Sequence, residues 1–381
     1  MGKLTARGTA RITSVPQIPL RHLLPVPLPP YARDKARPMQ PAASPSEPLV
    51  SAVIPTRGRP ALLLSAIRSA LRQTWRRLEV IVVIDGPDAE TAASLATIID
   101  PRLRVVPLPE TSGGSAARNA GVEAAHGEWI AFLDDDDEWF PDKIERQMEA
   151  VREEAVWFPI ITCRVVAQSP RSSRVLPQRT YDGTQPIADY LFCRRSLADP
   201  GGLMQTSTLL AQRDLLLAIP FRNGLRGHQD WDWIIRVCAY DGVQVTMLTK
   251  PLALWRVEDG RESTSRKPAW QFSLAWIREM RPFVSGRAFA SFVAIQCVWR
   301  ARKSHAGLAA RLAIVRAFLL EGTPGLFASL HFAIFGLVPA AVRRRLRDWL
   351  WLRRNLSARS GGLTLVHSRP AAPRPLRKSS F

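Results

Sequence analysis

Four consecutive aspartates, Asp134 to Asp137, follow directly on the strand-like apolar run Trp129-Ile130-Ala131-Phe132-Leu133. Carboxylates packed this closely repel one another, and their pKa values rise unless water or a counter-charge neutralises them. Hard oxygen donors suit Mg²⁺ or Mn²⁺, and a divalent ion bridging to a phosphate is the natural partner of such a cluster. The plainer alternative is a solvated acidic turn opening a helix, with Asp142 and Glu145 continuing the charge. Two more sequences have the makings of a site: the loop Thr56-Arg57-Gly58-Arg59 and the segment His228-Gln229-Asp230-Trp231-Asp232-Trp233.

These residues need a scaffold, and the pattern around them supplies one. Leu49 to Ile54 reads as a short strand, after which Leu63, Ala66, Ile67, Ala70 and Leu71 recur at helical spacing. Glu79 to Ile84 is a nearly continuous apolar strand that ends in Asp85-Gly86-Pro87. Such a run is buried on both faces, as in a parallel sheet. A helix over about 89–99, a strand over 103–106, a helix over about 115–125 and the strand 129–133 continue the alternation. It predicts a doubly wound α/β sheet whose ligands lie beyond the carboxyl ends of the strands. Thr56 to Arg59, Asp85-Gly86 and Asp134 to Asp137 each follow a strand end, so three loops converge on one rim. Residues 150–260 are less regular, with apolar stretches over 156–166 and 204–210 and a strand near 243–248.

The ends differ in character. Residues 1–47 are rich in Pro, Arg and Ala without periodicity and read as a disordered leader. From about 263 to 355 the chain reads as a helical basic extension, and 356–381 as a disordered basic tail. Of 381 residues, 53 are Lys or Arg against 33 acids, a net +20. That excess points to an anionic partner: nucleic acid, a phospholipid surface or a phosphorylated substrate. Cys163, Cys193, Cys238 and Cys297 lie far apart, without the spacing of a zinc site or a disulfide scaffold. No cleaved signal is read. Gly322 to Val342 lacks charged side chains and precedes Arg343-Arg344-Arg345, the outline of a membrane span interrupted by Pro324, His331 and Pro339. Val338, Val342, Leu346, Trp349 and Leu350 would line one side of a helix crowded with arginines, which suits an anionic bilayer face or an ordinary solvated helix equally.

Taken together, Ser51 to Thr56, Val82 to Gly86, Gly113 through Ala117-Arg118-Asn119-Ala120-Gly121, the aspartate cluster and His228 to Trp233 resemble the ordered motifs of family 2 glycosyltransferases. The resemblance covers about residues 49–260. It implies the GT-A fold, with a domain over 48–262, and inverting transfer of a sugar from a nucleotide-diphosphate donor to a hydroxyl acceptor. It implies that Pro55, Thr56 and Arg57 lie against the nucleoside, that Asp85 holds the base, and that Arg118 and Asn119 sit near the nucleotide. It further implies that Asp134 lies near the ribose, that Asp136 holds Mg²⁺ or Mn²⁺ with Asp134, and that Asp135 orients or screens them. Asp230 would be the general base.

This chain departs from the family pattern in three places: Ile84 stands where a first acid is usual, Thr111 replaces the commoner Asn, and the Gln-x-x-Arg-Trp signature of processive members is missing. Asp85 also reads as a turn residue, Arg118 as a structural partner of the aspartate loop, and Asp230 as a helix cap. A helix starting near Gln229 would bury Trp231, Ile234, Ile235 and Cys238, with Asp232 supporting the loop. The resemblance fits synthesis of a cell-surface polysaccharide or glycolipid, in the cytoplasm or peripherally at the inner face of the membrane. Three alternatives remain: a nucleotidyltransferase, an inactive scaffold, and a basic nucleic-acid- or membrane-binding protein. No aromatic-basic RNA signature or recognition-helix pattern is found, so nucleic acid is not the expected partner.

Overall fold

A computed structural model describes residues 47–257 and 270–338, together with Val342 and Arg345. The leader up to residue 46, most of the basic stretch 338–354 and the tail 356–381 lie outside the described residues. Strands β1 (Val50–Thr56), β2 (Leu78–Ile84), β3 (Leu103–Pro107) and β4 (Trp129–Phe132) form a parallel sheet in the order β3-β2-β1-β4. Val53 stands between Ile81 and Phe132 in register. Side chains alternate across the pleat, so Val53, Ile81 and Val83 enter one core layer while Ala52, Ile54, Val80 and Val82 enter the other.

Helices cover both faces. Helix α1 (Pro60–Leu71) starts with proline at its first position, where no amide donor is needed, and buries Leu63, Ala66, Ile67 and Ala70. Helix α2 (Ala89–Leu95) is capped by Asp88, whose side chain accepts from the Thr91 amide, and it ends earlier than the sequence pattern suggests. Helix α3 (Gly114–Ala124) packs on the opposite layer. Gly121 allows this closeness, since a Cβ there would collide with Val53.

Beyond β4 the sheet becomes mixed. The elements are β5 (Glu138–Trp139), α4 (Lys143–Glu153), β6 (Phe158–Ser169), β7 (Ser172–Leu176), α5 (Ile187–Phe192), β8 (Leu210–Gln212), α6 (Arg213–Ala218), α7 (Gln229–Val237) and β9 (Val243–Arg256). The order continues β4-β8-β6-β9-β5, with β7 paired to β6. Strand β8 runs antiparallel to β4 and β6, whereas β6 and β9 are parallel over most of their length. The apolar stretch read over 204–210 is a 3₁₀ turn, Thr206–Thr208, leading into β8.

Helix α7 begins at Gln229 as expected, but its buried side is Asp232, Trp233, Ile234, Ile235 and Val237. Trp233 is fully buried and donates Nε1–H to the Ile219 carbonyl at 2.8 Å, whereas Trp231 and Cys238 stay partly exposed. Asp232 can be buried because Arg222, Arg236 and Trp276 Nε1–H all bond its carboxylate. The helix is therefore rotated by a charge network that apolar spacing does not record.

A helical layer follows: α8 (Trp270–Glu279), α9 (Gly286–Phe292) running through a π-helical segment Val293–Cys297 into α10 (Val298–Lys303), then α11 (Leu308–Arg316) and α12 (Leu326–His331). Its apolar residues join the same core cluster as α3, α6 and α7. Residues 322–325 form a loop, and beyond it Phe332 stacks on Phe318 at 4.2 Å. Among the described residues no helix is long and apolar enough to cross a membrane.

His228 ties this layer to α7. It caps the helix in the left-handed region, at φ 63°, which non-glycine residues rarely adopt. Its ring stacks with Trp231 (5.2 Å) and Phe272 (5.7 Å), touches Trp276 and Phe292, and pairs Nε2 with Ser273 Oγ at 2.9 Å. Burial, with a contribution from Arg300, lowers its pKa from 6.5 to about 3.

Gly121→Ala should destabilise the protein by about 1–3 kcal/mol, since the overpacking at Val53 outweighs the better helix propensity of alanine. Urea unfolding measures this, and a neutral or stabilising result would contradict the α3–β1 contact. His228→Asn keeps a residue tolerant of left-handed backbone but loses the ring stack, at a cost of about 2 kcal/mol near neutral pH. The native imidazole stays neutral down to about pH 3 while the unfolded one takes a proton near 6.5, so wild-type stability falls as pH drops through that window. The difference between wild type and variant should thus move by about 2–3 kcal/mol in the variant's favour at about pH 4.5, cancelling or reversing the penalty. A pH-independent penalty would mean that the imidazole is not buried neutral.

Candidate active site

The carboxyl ends of β1, β2 and β4 open onto one rim, as the alternation predicts. The β1–α1 loop supplies Pro55, Thr56, Arg57 and Arg59. Arg57 is exposed, whereas Arg59 reaches back over the aspartates, with Nη1 3.0 Å from Asp135 Oδ1 and 3.1 Å from Asp136 Oδ2. The intervening Gly58 turns the loop at φ 65°, and its amide is fixed on Asp88 at 2.7 Å. Thr56 Oγ1 donates to Asp135 Oδ2 at 2.8 Å. Asp135 is thereby held, yet burial still raises its pKa to about 6 against the opposing pull of Arg59.

At the end of β2, Asp85 turns toward the start of α3. One carboxylate oxygen accepts from the Ser112 amide at 2.7 Å, and both accept from the Gly113 amide at 3.0–3.1 Å. Gly86, at φ 94°, lies so close to Thr111 that a side chain could not be fitted there. Asp85 thus orders the loop that precedes α3. One helical turn on, the buried Arg118 donates Nη2–H to Asp134 Oδ1 at 2.6 Å and Nη1–H to Gln229 Oε1 at 2.8 Å. Asn119 faces elsewhere: it bonds both the carbonyl and the amide of Phe221, stapling α3 to the loop before α7.

The third component is the turn Gln205–Thr208, which pattern reading passed over. Thr206 Oγ1 donates to Asp230 Oδ1, and its amide donates to Oδ2 at 3.3 Å. Ser207 Oγ donates to Asp137 Oδ2 at 2.6 Å and accepts from the Asp134 amide at 3.1 Å. Gln205 Nε2–H also reaches Asp137, at 3.1 Å. A single turn thus links the acidic loop to Asp230 on α7. The buried Gln147 anchors that turn from below through the Thr208 carbonyl at 2.8 Å.

Burial raises the pKa of Asp230, with Arg118 opposing it and Asp134 adding to it. Asp137 is pushed well above the usual carboxylate range, first by burial and then by Asp134 and Asp136. Carboxylate oxygens of Asp134, Asp136 and Asp137 lie within 4.8 Å of one another. Asp137 Oδ1 is buried with no hydrogen-bond partner among the described residues. An all-oxygen set with a buried, unsatisfied carboxylate oxygen fits a hard divalent cation. Arg59 lies on Asp136, so a cation bound there would share that carboxylate with it or displace it.

A separate cavity of about 510 Å³ opens among Tyr181, Thr184, Ile187, Ile235, Val245 and Phe283. None of the rim aspartates lines it.

Comparison with known proteins agrees with this geometry. Residues 51–200 match the profile of the family described as Glycosyl transferase family 2. The amylovoran biosynthesis glycosyltransferase AmsB of Erwinia amylovora is 28% identical over 282 residues, covering 71% of this chain and 90% of that protein. The succinoglycan biosynthesis protein ExoO of Rhizobium meliloti is 36% identical over 140 residues, covering 37% of this chain and 40% of ExoO. Among solved structures, S. aureus TarS residues 1–349, crystallised with UDP-GlcNAc, superposes with a TM-score of 0.50 at 16% identity, over 71% of this chain and 81% of that one. The likeness to TarS is one of fold. Sheet order, acidic rim and profile converge: residues 51–200 are similar to a family 2 glycosyltransferase domain, on a scaffold with the GT-A fold.

Proposed function

We propose that this enzyme transfers a sugar from a nucleotide-diphosphate donor to a hydroxyl of a growing cell-surface polysaccharide or glycolipid, with inversion at the anomeric carbon. The observation that carries the reading is the turn Gln205–Thr208, which bonds Asp230 through Thr206 and the acidic loop through Ser207. One rigid element thereby sets the distance between a proton acceptor and a donor-binding loop, the arrangement that single-displacement chemistry needs. AmsB and ExoO, whose names tie them to amylovoran and succinoglycan synthesis, support the substrate class.

In this reading Asp230 takes the acceptor hydroxyl's proton. Its raised pKa makes it a stronger base than an ordinary carboxylate, and Arg118 opposes that rise. Pro55, Thr56 and Arg57 lie along the nucleoside, and Asp85 shapes the base pocket through the 112–113 backbone. Asp134 faces the ribose, with Arg118 fixing its orientation, and Asp135 braces Arg59 and Thr56. Asp136 and Asp134, with Asp137 beside them, would hold Mg²⁺ or Mn²⁺, which when bound offsets charge on the departing diphosphate. The acceptor would be met in the cytoplasm at an anionic membrane surface.

The test is nucleotide diphosphate release from a panel of nucleotide sugars with Mn²⁺. One donor should be cleaved, and Asp230→Asn should lower the rate by on the order of 10²–10⁴-fold. Asp136→Ala should abolish the metal-dependent part. Wild-type turnover should fall as pH drops through the raised pKa of Asp230, since the protonated acid accepts nothing. If no donor is bound or cleaved even with membrane extract present, the catalytic reading fails. Full activity in Asp230→Asn would remove this residue from the chemistry.

A further inference from the structure

The helical layer carries leucines where a covering layer should be polar. Helix α11 buries Ala310 and Ile314, and the π-helical turn that extends it buries Ala317 and Phe318. The opposite side holds Leu308, Leu312 and Leu319 at 71%, 59% and 58% exposure. Those three and the partly buried Val315 fall at i, i+4, i+7 and i+11, one continuous stripe. An exposed apolar stripe flanked by the basic Arg311 and Arg316 has the pattern of an interfacial helix. The next helix, α12, also exposes Leu326 and Leu330, and the segments that follow α11 and α12 meet in the Phe318–Phe332 stack. Exposed Trp299 at the start of α10 lies under Lys303, whose Nζ is 5.1 Å from its ring.

The charge around these leucines has one sign. Residues 286–338 contain six Lys or Arg and one acid, Glu321. Glu321 is paired with Arg278 at 2.6 and 2.8 Å and is also drawn on by Arg316, so this one acid is shared while Lys303 and Arg311 stay exposed. The same charge argues against two other covers. A second copy would bring a like-charged face against this one, and residues 341–381 carry eleven basic residues against one acid. A nucleic acid matches the charge but has no use for exposed leucines. We propose that α11, with α12 beside it, is a docking surface for an anionic phospholipid bilayer, the leucines entering the interface and Lys303, Arg311 and Arg316 meeting lipid phosphates. The docking is independent of the transferase reading, because lipid binding is scored without turnover.

The experiment is co-sedimentation of the full chain with vesicles of phosphatidylcholine alone or mixed in equal parts with phosphatidylglycerol, alongside Leu312→Glu/Leu319→Glu and a variant with Arg343, Arg344 and Arg345 changed to Ala. Both leucines are exposed, so the double variant should keep the wild-type circular dichroism. The expected result is wild-type sedimentation with the anionic vesicles, weakening with salt, and at least about tenfold weaker binding by the leucine variant. The proposal is overturned if the wild type stays in solution with the anionic vesicles. It is overturned equally if the leucine variant binds as well while the arginine variant does not, which would assign the affinity to the basic tail. A wild-type dimer that the leucine variant converts to monomer would show that a second copy covers the stripe.

Discussion

Five carboxylates, Asp134 to Asp137 and Asp230, meet at one rim, and the surrounding structure answers to their mutual repulsion. At the 4.8 Å within which the oxygens of Asp134, Asp136 and Asp137 gather, two such charges repel by about 3–4 kcal/mol in a medium of effective dielectric about 20. Several repulsions of that size rival the whole stability of a domain. Two guanidiniums oppose them from different directions: Arg118 from the first turns of α3, and Arg59 from the β1–α1 loop. Burial first, and the neighbouring carboxylates after it, keep the pKa values of Asp135 and Asp137 raised despite these guanidiniums. The rim stores a demand for positive charge, which a cation bound with its nucleotide is suited to meet.

That demand explains why the second half of the sheet is needed at all. A parallel β3-β2-β1-β4 sheet can present the acidic loop but offers no donors from the far side. The antiparallel β8 brings the turn Gln205–Thr208 against the β4 end, and its hydroxyls and amides hold Asp137, Asp134 and Asp230 together. The turn is anchored by Gln147 on α4, and α7 is anchored by the His228 stack on the helical layer. The strained backbone at His228 persists because surrounding rings over-determine it.

Strands β1, β2 and β4 were legible because burial on both faces writes a continuous apolar run, and α1 because its stripe recurs at i, i+3, i+4 and i+7. The acidic loop, Arg118 and Asp230 were legible as an ordered set of motifs. Arg59 was overshadowed by its neighbour Arg57, since which of two arginines in one loop turns inward depends on the positive φ of Gly58. Thr206 and Ser207 left no periodic trace: a three-residue turn has no repeat, and small hydroxyls are common everywhere. The face of α7 was misassigned because burying Asp232 depends on Arg222, ten residues away, and on Trp276 from another helix. Long-range charge pairing is invisible to local spacing.

The helical layer satisfies two unlike requirements with its two sides. Its inner side must supply Phe272, Trp276 and Phe292 to the His228 cage, and that need accounts for its aromatic content. Nothing in the folding of the chain asks for Leu308, Leu312 or Leu319 on the outer side: a lysine or glutamate there would cover the core equally well and keep water better satisfied. An exposed apolar stripe of this kind fits a requirement outside the chain. The concentration of positive charge beside it narrows that requirement to a partner both apolar and anionic.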